Sequence, residues 1–225
     1  MKDSAAARVE ILRAIKQGLQ GEPAHELPAP APVFPPEPSL SYAALADSFR
    51  RELEALKGEV ILVPTPAALP RALGLLLAQR GLNVAAVENS TLVSAALVQV
   101  PGDRFFQAAG ASNERIEAAD CGIIQAEALL ADTGSVVAIF KTRGERLLPY
   151  LPRTCIVLAD EARLRPHMDD EAVRALYAAA RDGAKGEGVI ITGPSRSADI
   201  EKVLVLGAHG PQALIVLIVG AAPNA

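Results

Sequence analysis

Three short clusters in this chain place glycine beside hydroxyl or imidazole side chains. They are Thr133-Gly134-Ser135, Gly193-Pro194-Ser195 and His209-Gly210-Pro211, the second being followed by Asp199 and Glu201. Glycine lets a backbone approach a ligand closely, and serine and threonine hydroxyls add donors beside backbone N–H groups. Together the clusters could cradle a phosphate, a carboxylate or a carbonyl group. Each cluster taken alone is better explained as a tight turn or a helix cap.

A serine hydrolase and a metal centre are poorly supported by the sequence. Ser135 or Ser195 could combine with His209 and Asp199, but the chain contains no Gly-x-Ser-x-Gly elbow. The three histidines are scattered, and neither a His-x-x-His nor a Cys-x-x-Cys pair occurs. A Gly-x-Gly-x-x-Gly fingerprint and a Walker A motif are also missing from the sequence. We therefore predict no metal site and no cofactor held by this chain alone.

The two cysteines, Cys121 and Cys155, are far apart in the sequence. Two thiols do not make a disulfide scaffold, and an iron–sulfur cluster usually requires four thiolates. We expect two free thiols in the reducing cytoplasm.

Composition argues against nucleic-acid and membrane partners. The formal net charge is −4 and aromatic residues make up 4% of the chain, so neither a basic footprint nor a base-stacking surface is expected. The N-terminus has no apolar core of a secretory signal. The uncharged window 203–222 is interrupted by polar residues 209–212, which leaves an apolar stretch too short to span a bilayer. We predict a cytoplasmic protein without a membrane span.

Apolar runs alternate with amphipathic segments along most of the chain. Strands are predicted at 59–63, 83–87, 122–125, 135–140, 154–158, 188–192 and 213–219. Helices are predicted at 41–56, 66–80, 113–119 (with Asn113 as the cap) and 169–181, and 92–100 fits a strand or a short helix. Such alternation predicts an α/β fold with an open, mostly parallel sheet and helices on both faces.

The N-terminal part has a different composition. Residues 1–20 predict a helical arm with Ser4 as its cap, and residues 21–40 are a Pro-rich linker. Residues 41–225 would then form a single α/β domain. The arm is either a mobile extension or a segment that docks on a partner.

Three segments resemble the signatures of the lactate utilization protein C family, the LUD domain. They are residues 131–135 (Ala-Asp-Thr-Gly-Ser), 191–201 (Ile-Thr-Gly-Pro-Ser-Arg-Ser-Ala-Asp-Ile-Glu) and 207–211 (Gly-Ala-His-Gly-Pro). Their order and spacing match the family, and an apolar terminal strand follows. The resemblance covers roughly residues 41–219 and implies a fold similar to the sugar-phosphate isomerase and coenzyme A transferase superfamily.

The resemblance also implies a function. The chain would be a non-redox subunit of a cytosolic complex that oxidises L-lactate to pyruvate, beside subunits that carry iron–sulfur clusters. It would bind a small anionic ligand or a partner subunit through its three strand-end loops. The alternative is a stand-alone isomerase or acyl-transfer enzyme, which would need a carboxylate such as Glu127, Asp132 or Glu201 beside Ser195.

The resemblance carries its site residues over position by position. The candidate ligand-binding residues are Thr133, Gly134, Ser135, Gly193, Pro194, Ser195, His209, Gly210 and Pro211. The motifs assign no catalytic residue, and His209, Glu201 and Asp199 are the candidates for proton transfer. If these loops form one site, Thr133, Ser195 and His209 should surround one concavity at the carboxyl ends of the strands.

Overall fold

The computed structural model describes residues 4–18, 40–168, 187–194, 196–197, 205–206 and 210–220. The chain divides into two compact units, Met1–Pro36 and Glu37–Ala225. The first unit contains the helix α1 (Ser4–Gly18), which matches the helix predicted for the arm.

The second unit contains the remaining elements. Its helices are α2 (Tyr42–Ala55), α3 (Leu69–Gln79), α4 (Thr91–Ala96), α5 (Asn113–Glu117) and α6 (Arg143–Leu147). The strands are β1 (Glu59–Val63), β2 (Ala85–Val87), β3 (Phe105–Gln107), β4 (Cys121–Gln125), β5 (Ala128–Leu130), β6 (Ser135–Phe140), β7 (Thr154–Asp160), β8 (Leu164–Arg165), β9 (Glu187–Ile191), β10 (Arg196–Ser197), β11 (Val205–Leu206) and β12 (Ala213–Val219).

Among the described residues, six strands form a parallel sheet in the order β1-β12-β7-β4-β2-β3. The central strands β7 and β12 are almost continuously apolar because both of their faces are buried. The predicted α/β fold with an open parallel sheet is therefore confirmed.

The two faces of this sheet are covered differently. On one face, α3 and α4 pack through leucine, valine and alanine side chains such as Leu73, Leu77 and Val93. On the other face, α2 packs through Phe49 and Leu53, together with apolar residues of a second sheet. In the described part of the chain, that second sheet has the order β8-β5-β6-β9, with β6 antiparallel to both of its neighbours. β10 and β11 form a separate antiparallel pair.

Some predicted boundaries differ from the observed ones. The helix predicted at 66–80 is a short 3-10 turn, Pro66–Ala68, followed by α3, and Thr65 makes no capping hydrogen bond within the described turn. The cap of α5 is Ser112 rather than Asn113, because the Ser112 hydroxyl accepts a hydrogen bond from the Arg115 backbone N–H at 3.3 Å. Residues 92–100 contain a helix, α4. The helix predicted at 169–181 lies outside the described residues.

The strand order reverses direction between β2 and β4. β2 leads through α4 to β3 at one edge, whereas β4 leads through β5, β6 and α6 to β7 on its other side. α4 and α6 pack on opposite faces of the sheet. The carboxyl ends of β2 and β4 therefore flank a topological switch point, the position where open α/β sheets bind ligands.

Candidate functional site

The first predicted cluster contacts Thr192, the residue that directly precedes the second cluster. The Ser135 hydroxyl at the start of β6 lies 2.8 Å from the Thr192 hydroxyl at the end of β9. Antiparallel pairing explains this contact, because it places Val136 opposite Ile191. Ser135 is only 3% exposed, so the hydrogen bond satisfies an otherwise buried hydroxyl.

Both clusters also pack against the C-terminal part of α2. Gly134 has φ +63°, and a Cβ atom there would lie 2.5 Å from the backbone nitrogen of Leu53. Gly193 has φ +89°, and a Cβ atom there would lie 3.1 Å from the Cβ of Leu56, the residue that caps α2. The open side of each glycine is thus occupied by α2. Both glycines serve the packing of the second sheet on this helix.

Thr133 and Pro194 border these glycines. Thr133 is exposed on the hairpin between β5 and β6, and its hydroxyl donates to the Asp132 carboxylate at 3.2 Å. Pro194 is buried. Of the first two clusters, Thr133 is therefore the described hydroxyl group that faces solvent.

The third cluster precedes β12. Gly210 has φ +126° and Pro211 is buried, and the following Gln212 N–H donates to the Arg153 carbonyl at 2.8 Å. Because this turn leads into the amino end of β12, it lies at the opposite edge of the parallel sheet from the carboxyl ends. Gly210 and Pro211 therefore lie away from the carboxyl ends, but the expectation that Thr133, Ser195 and His209 surround one concavity stays a prediction, because Ser195 and His209 lie outside the described residues.

Ser195, Asp199, Glu201 and His209 lie outside the described residues. The proton-transfer role of Asp199, Glu201 and His209 therefore stays a prediction, as does a ligand-binding role for all three clusters.

Glu88 and Glu127 flank the switch point. Glu88 follows β2 directly, and its Oε2 accepts a hydrogen bond from the Gln125 N–H, at the end of β4, at 2.7 Å. Glu127 follows β4, and its Oε1 accepts from Nη1 of Arg163 at 2.7 Å. Glu127, which the sequence suggested as a carboxylate for acyl transfer, is therefore paired with a cation.

Glu145 connects α6 to the switch point between β2 and β4. Thr142 and Glu145 form a capping box, in which each side chain accepts a hydrogen bond from the backbone N–H of the other. Oε1 of Glu145 also accepts from the Asn89 N–H at 3.2 Å. Glu145 is only 5% exposed, so its carboxylate joins the start of α6 to the connection that follows β2. We call Glu88, Gln125, Glu127, Lys141 and Glu145 the switch-point cluster.

Burial raises the pKa of Glu88 to about 7. The nearby carboxylates of Glu145 and Glu127 also raise this pKa. The hydrogen bond from the Gln125 N–H and the positive charge of Lys141 lower it. A carboxyl group with this pKa exchanges a proton near neutral pH, as general acids and bases do.

Glu88 is not among the functional candidates predicted from the sequence. Its position directly after a strand of a βαβ unit was a usable signal, because ligand sites of α/β proteins gather at that edge. Its proximity to Glu127 and Glu145 depends on strand order and was not readable from the sequence.

The two thiols are set in opposite faces of the sheet. Cys121 packs with α3 and α4, whereas Cys155 packs on the other face, and both are fully buried. Burial raises the pKa of each thiol to about 12. Side chains on opposite faces of one sheet cannot form a disulfide, and thiols held protonated are poor metal ligands.

Within the described residues there is neither a metal-binding cluster nor a membrane-spanning helix. No cluster of three or more His, Cys, Asp or Glu side chains there is arranged to hold a metal ion. No described helix is long and apolar enough to cross a membrane.

A family model and curated relatives point to the same family. The model of the LUD domain family matches residues 46–219. Lactate utilization protein C of Geobacillus kaustophilus is 31% identical over 180 residues, which are 79% of this chain and 69% of that protein. Lactate utilization protein C of Geobacillus thermodenitrificans is 36% identical over 105 residues, 46% of this chain, and the match spans less than half (43%) of that relative.

A solved structure supports the fold. A DUF162 family protein from Deinococcus radiodurans aligns with 81% of this chain and 100% of its own, with a TM-score of 0.59 and 21% identity. The family match over most of the second unit and the similarity to a curated relative over 180 residues agree with the motifs at residues 131–135 and 191–201. The chain belongs to the LUD domain family, that of lactate utilization protein C.

Proposed function

We propose that this chain serves lactate utilization as a non-redox subunit of a cytosolic complex that oxidises L-lactate to pyruvate. The observation that carries this proposal is the 31% identity over 180 residues to a protein named lactate utilization protein C. The oxidation removes two electrons and two protons from lactate, so an electron acceptor is required. In our proposal, partner subunits supply it through iron–sulfur clusters.

The positions of the two thiols support the proposal that the iron–sulfur clusters belong to partner subunits. An iron–sulfur cluster is held by thiolates that converge on one point. Cys121 and Cys155 are fully buried, protonated and on opposite faces of one sheet, so they do not fit a cluster.

The joined loops support contact with a partner subunit rather than an anion cradle. On the Cβ side of Gly134 and Gly193 the space is occupied by α2 and by its cap Leu56, so a small ligand would have to approach these backbones from another direction. Thr133 and Asp132 remain exposed on the hairpin and are available to another protein surface. We therefore assign the hairpin to subunit contact.

Affinity purification of the full-length chain from its native host, grown on L-lactate, tests the proposal. We expect subunits to elute with the chain that contain iron and acid-labile sulfide. Thr133→Arg should weaken this association, whereas Thr65→Arg, at another exposed threonine, should not. A chain that elutes without any iron–sulfur protein would contradict the subunit role.

A stand-alone isomerase or acyl-transfer enzyme is the second candidate, and Glu88 favours it. A carboxyl group that exchanges protons near neutral pH at a topological switch point fits a general acid or base. Turnover of sugar phosphates or acyl-coenzyme A by the purified chain, lost in Glu88→Gln, would support this candidate. A lack of turnover with both substrate classes would remove it.

A further inference from the structure

The helix α1 (Ser4–Gly18) exposes large apolar side chains to solvent. Four of them have more than half of their surface exposed, namely Val9, Ile11, Leu12 and Ile15. Spacings of three and four residues place these side chains on one side of the helix. Single exposed apolar residues are common, but several on one face mark an interaction surface, and a lone helix of 15 residues is only marginally stable in water. The apolar side of α1 is therefore a surface for docking on another molecule.

Two cations lie on this apolar side. Arg8 precedes Leu12 by four residues and Lys16 follows it by four, so the three side chains line up along the helix. The rise of the helix separates the two cations by about 12 Å along its axis. The helix dipole favours a cation at Lys16, in the last turn, but it does not explain Arg8. Because no ion pair of the described residues includes Arg8 or Lys16, both charges are available to anions of a partner.

These cations disfavour a second copy of α1 as the occupant of the surface. An antiparallel pair of helices centred on Leu12 would set the Arg8 of each copy against the Lys16 of the other. A parallel pair would set Arg8 against Arg8 and Lys16 against Lys16. Like charges that face each other between helices are destabilising, so α1 is not complementary to itself.

The cations also disfavour a lipid surface. Helices that lie in a membrane interface keep their cations on the polar face and bury an apolar face at the acyl chains. In α1, two of the three basic side chains lie in line with Leu12 instead, and the opposite side carries Glu10 and Gln17. Burial of the apolar side in a bilayer would draw Arg8 and Lys16 toward the hydrocarbon.

We infer that α1 docks by its Leu12 side into an apolar groove of a partner subunit, and that this groove presents a carboxylate near each end, about 12 Å apart. Val9, Leu12 and Ile15 fill the groove. Arg8 and Lys16 form charge-assisted hydrogen bonds with the two carboxylates. The net charge of −4 for the whole chain conceals this local complementarity, because α1 has three basic side chains and one acidic side chain. The identity of the partner as a subunit of the lactate-oxidising complex rests on the proposed function, whereas the chemistry of the contact does not.

Site-specific photocrosslinking in the native host, grown on L-lactate, tests this contact. The full-length chain would carry p-benzoyl-phenylalanine in place of Leu12 or, as the control, in place of Gln17 on the opposite side of α1. From position 12 we expect one dominant crosslink to another protein, with a higher yield than from position 17. Mass spectrometry should place the crosslink in a peptide of that protein that combines apolar residues with Asp or Glu.

Charge reversal tests the two ion pairs. In the chain that carries the crosslinker at position 12, Arg8→Glu should lower the yield about tenfold, because it sets a carboxylate against a carboxylate. Lys16→Glu should act in the same way. Arg13→Glu is the matched control, because it makes the same change one residue from Leu12, on a different side of the helix, and it should leave the yield unchanged.

Three results would overturn the inference. They are a crosslink from position 12 only to this chain, to a second copy or to lipid, a yield no higher than from position 17, and equal yields in Arg8→Glu and Arg13→Glu. A crosslinked partner that contains no iron would support the docking contact and contradict the proposed iron–sulfur partner. An iron–sulfur protein that elutes with the chain but never crosslinks to position 12 would contradict the docking contact alone.

Discussion

The Ser135 and Thr192 hydroxyls lie 2.8 Å apart and join two sequence clusters that are separated by more than fifty residues. This hydrogen bond closes the end of the β6–β9 pair beside α2. Two of the three predicted clusters are therefore neighbours, and their joint role in the described structure is to attach the second sheet to α2.

Removal of either hydroxyl should lower the free energy of unfolding, because this hydrogen bond is lost. Ser135→Ala should lower the free energy of unfolding by about 1 kcal/mol, because Ser135 is buried. Thr192→Val should cost more, about 1–3 kcal/mol, because it leaves the buried Ser135 hydroxyl without this partner, whereas Ser135→Ala leaves the exposed Thr192 hydroxyl, which water can satisfy. Urea denaturation of both single variants and the double variant should give a coupling of about 0.5–1.5 kcal/mol, and additive losses would contradict a shared hydrogen bond.

Substitution of Gly134 tests the close approach to α2. Gly134→Ala should destabilise the protein by more than about 2 kcal/mol, because it adds a steric contact with the Leu53 backbone to the strain of a positive φ. Gly81 is a matched control, because it has φ +65° and a Cβ atom added there would meet nothing within 4 Å.

The control isolates the steric part of the effect. Gly81→Ala should cost only the conformational strain, about 1 kcal/mol, in the same urea denaturation experiment. Equal losses in the two variants would mean that the packing of Gly134 on α2 contributes nothing.

Glu88 should make stability depend on pH. Its pKa is raised in the folded chain to about 7 from 4.5, so the folded state binds more protons than the unfolded state between these values. Stability is therefore present in full below about pH 4.5 and is lost as pH rises through about 7, by at most about 3 kcal/mol.

Thermal unfolding across this pH range measures the effect. Glu88→Gln should become more stable than the wild-type chain above pH 7, because the ionised carboxylate is absent. Glu54→Gln should follow the wild-type curve. A Glu88→Gln variant with the wild-type pH dependence would contradict the assigned pKa.

The two cysteines should be unreactive in the folded protein. The thiolate is the reactive form of cysteine, and burial raises the pKa of Cys121 and Cys155 to about 12, so little thiolate forms. Both side chains are also fully buried, so a reagent cannot reach them. Labelling with a thiol-specific reagent at pH 8 should modify neither thiol in the native chain and both after denaturation. Rapid labelling of native Cys155 would contradict its position in the core.

Five of the six strands of the parallel sheet were predicted from the sequence, because each is a local apolar run; the edge strand β3 was missed. β1 matches its predicted boundaries, since the apolar run of Glu59–Val63 follows Gly58 and precedes Pro64. β6 and β9 were predicted as strands, but their apolar runs do not differ from those of parallel strands. Their antiparallel pairing in a second sheet depends on contacts between distant segments.

The candidate site was less predictable than the fold. Gly134, Gly193 and Ser135 were predicted to bind a ligand, which stays a prediction, and the helix that the two glycines contact could not be inferred from the spacing of the motifs. Glu88 carries no motif, and its raised pKa arises from burial and from Glu145 and Glu127, which only the strand order brings close.

Growth on L-lactate tests the central claim most directly. The gene would be deleted in a native host whose other L-lactate dehydrogenases have been removed. We predict that this strain grows on pyruvate but not on L-lactate, and that the full-length chain restores growth. Growth of the deletion strain on L-lactate at the parental rate would contradict a role for this chain in lactate oxidation.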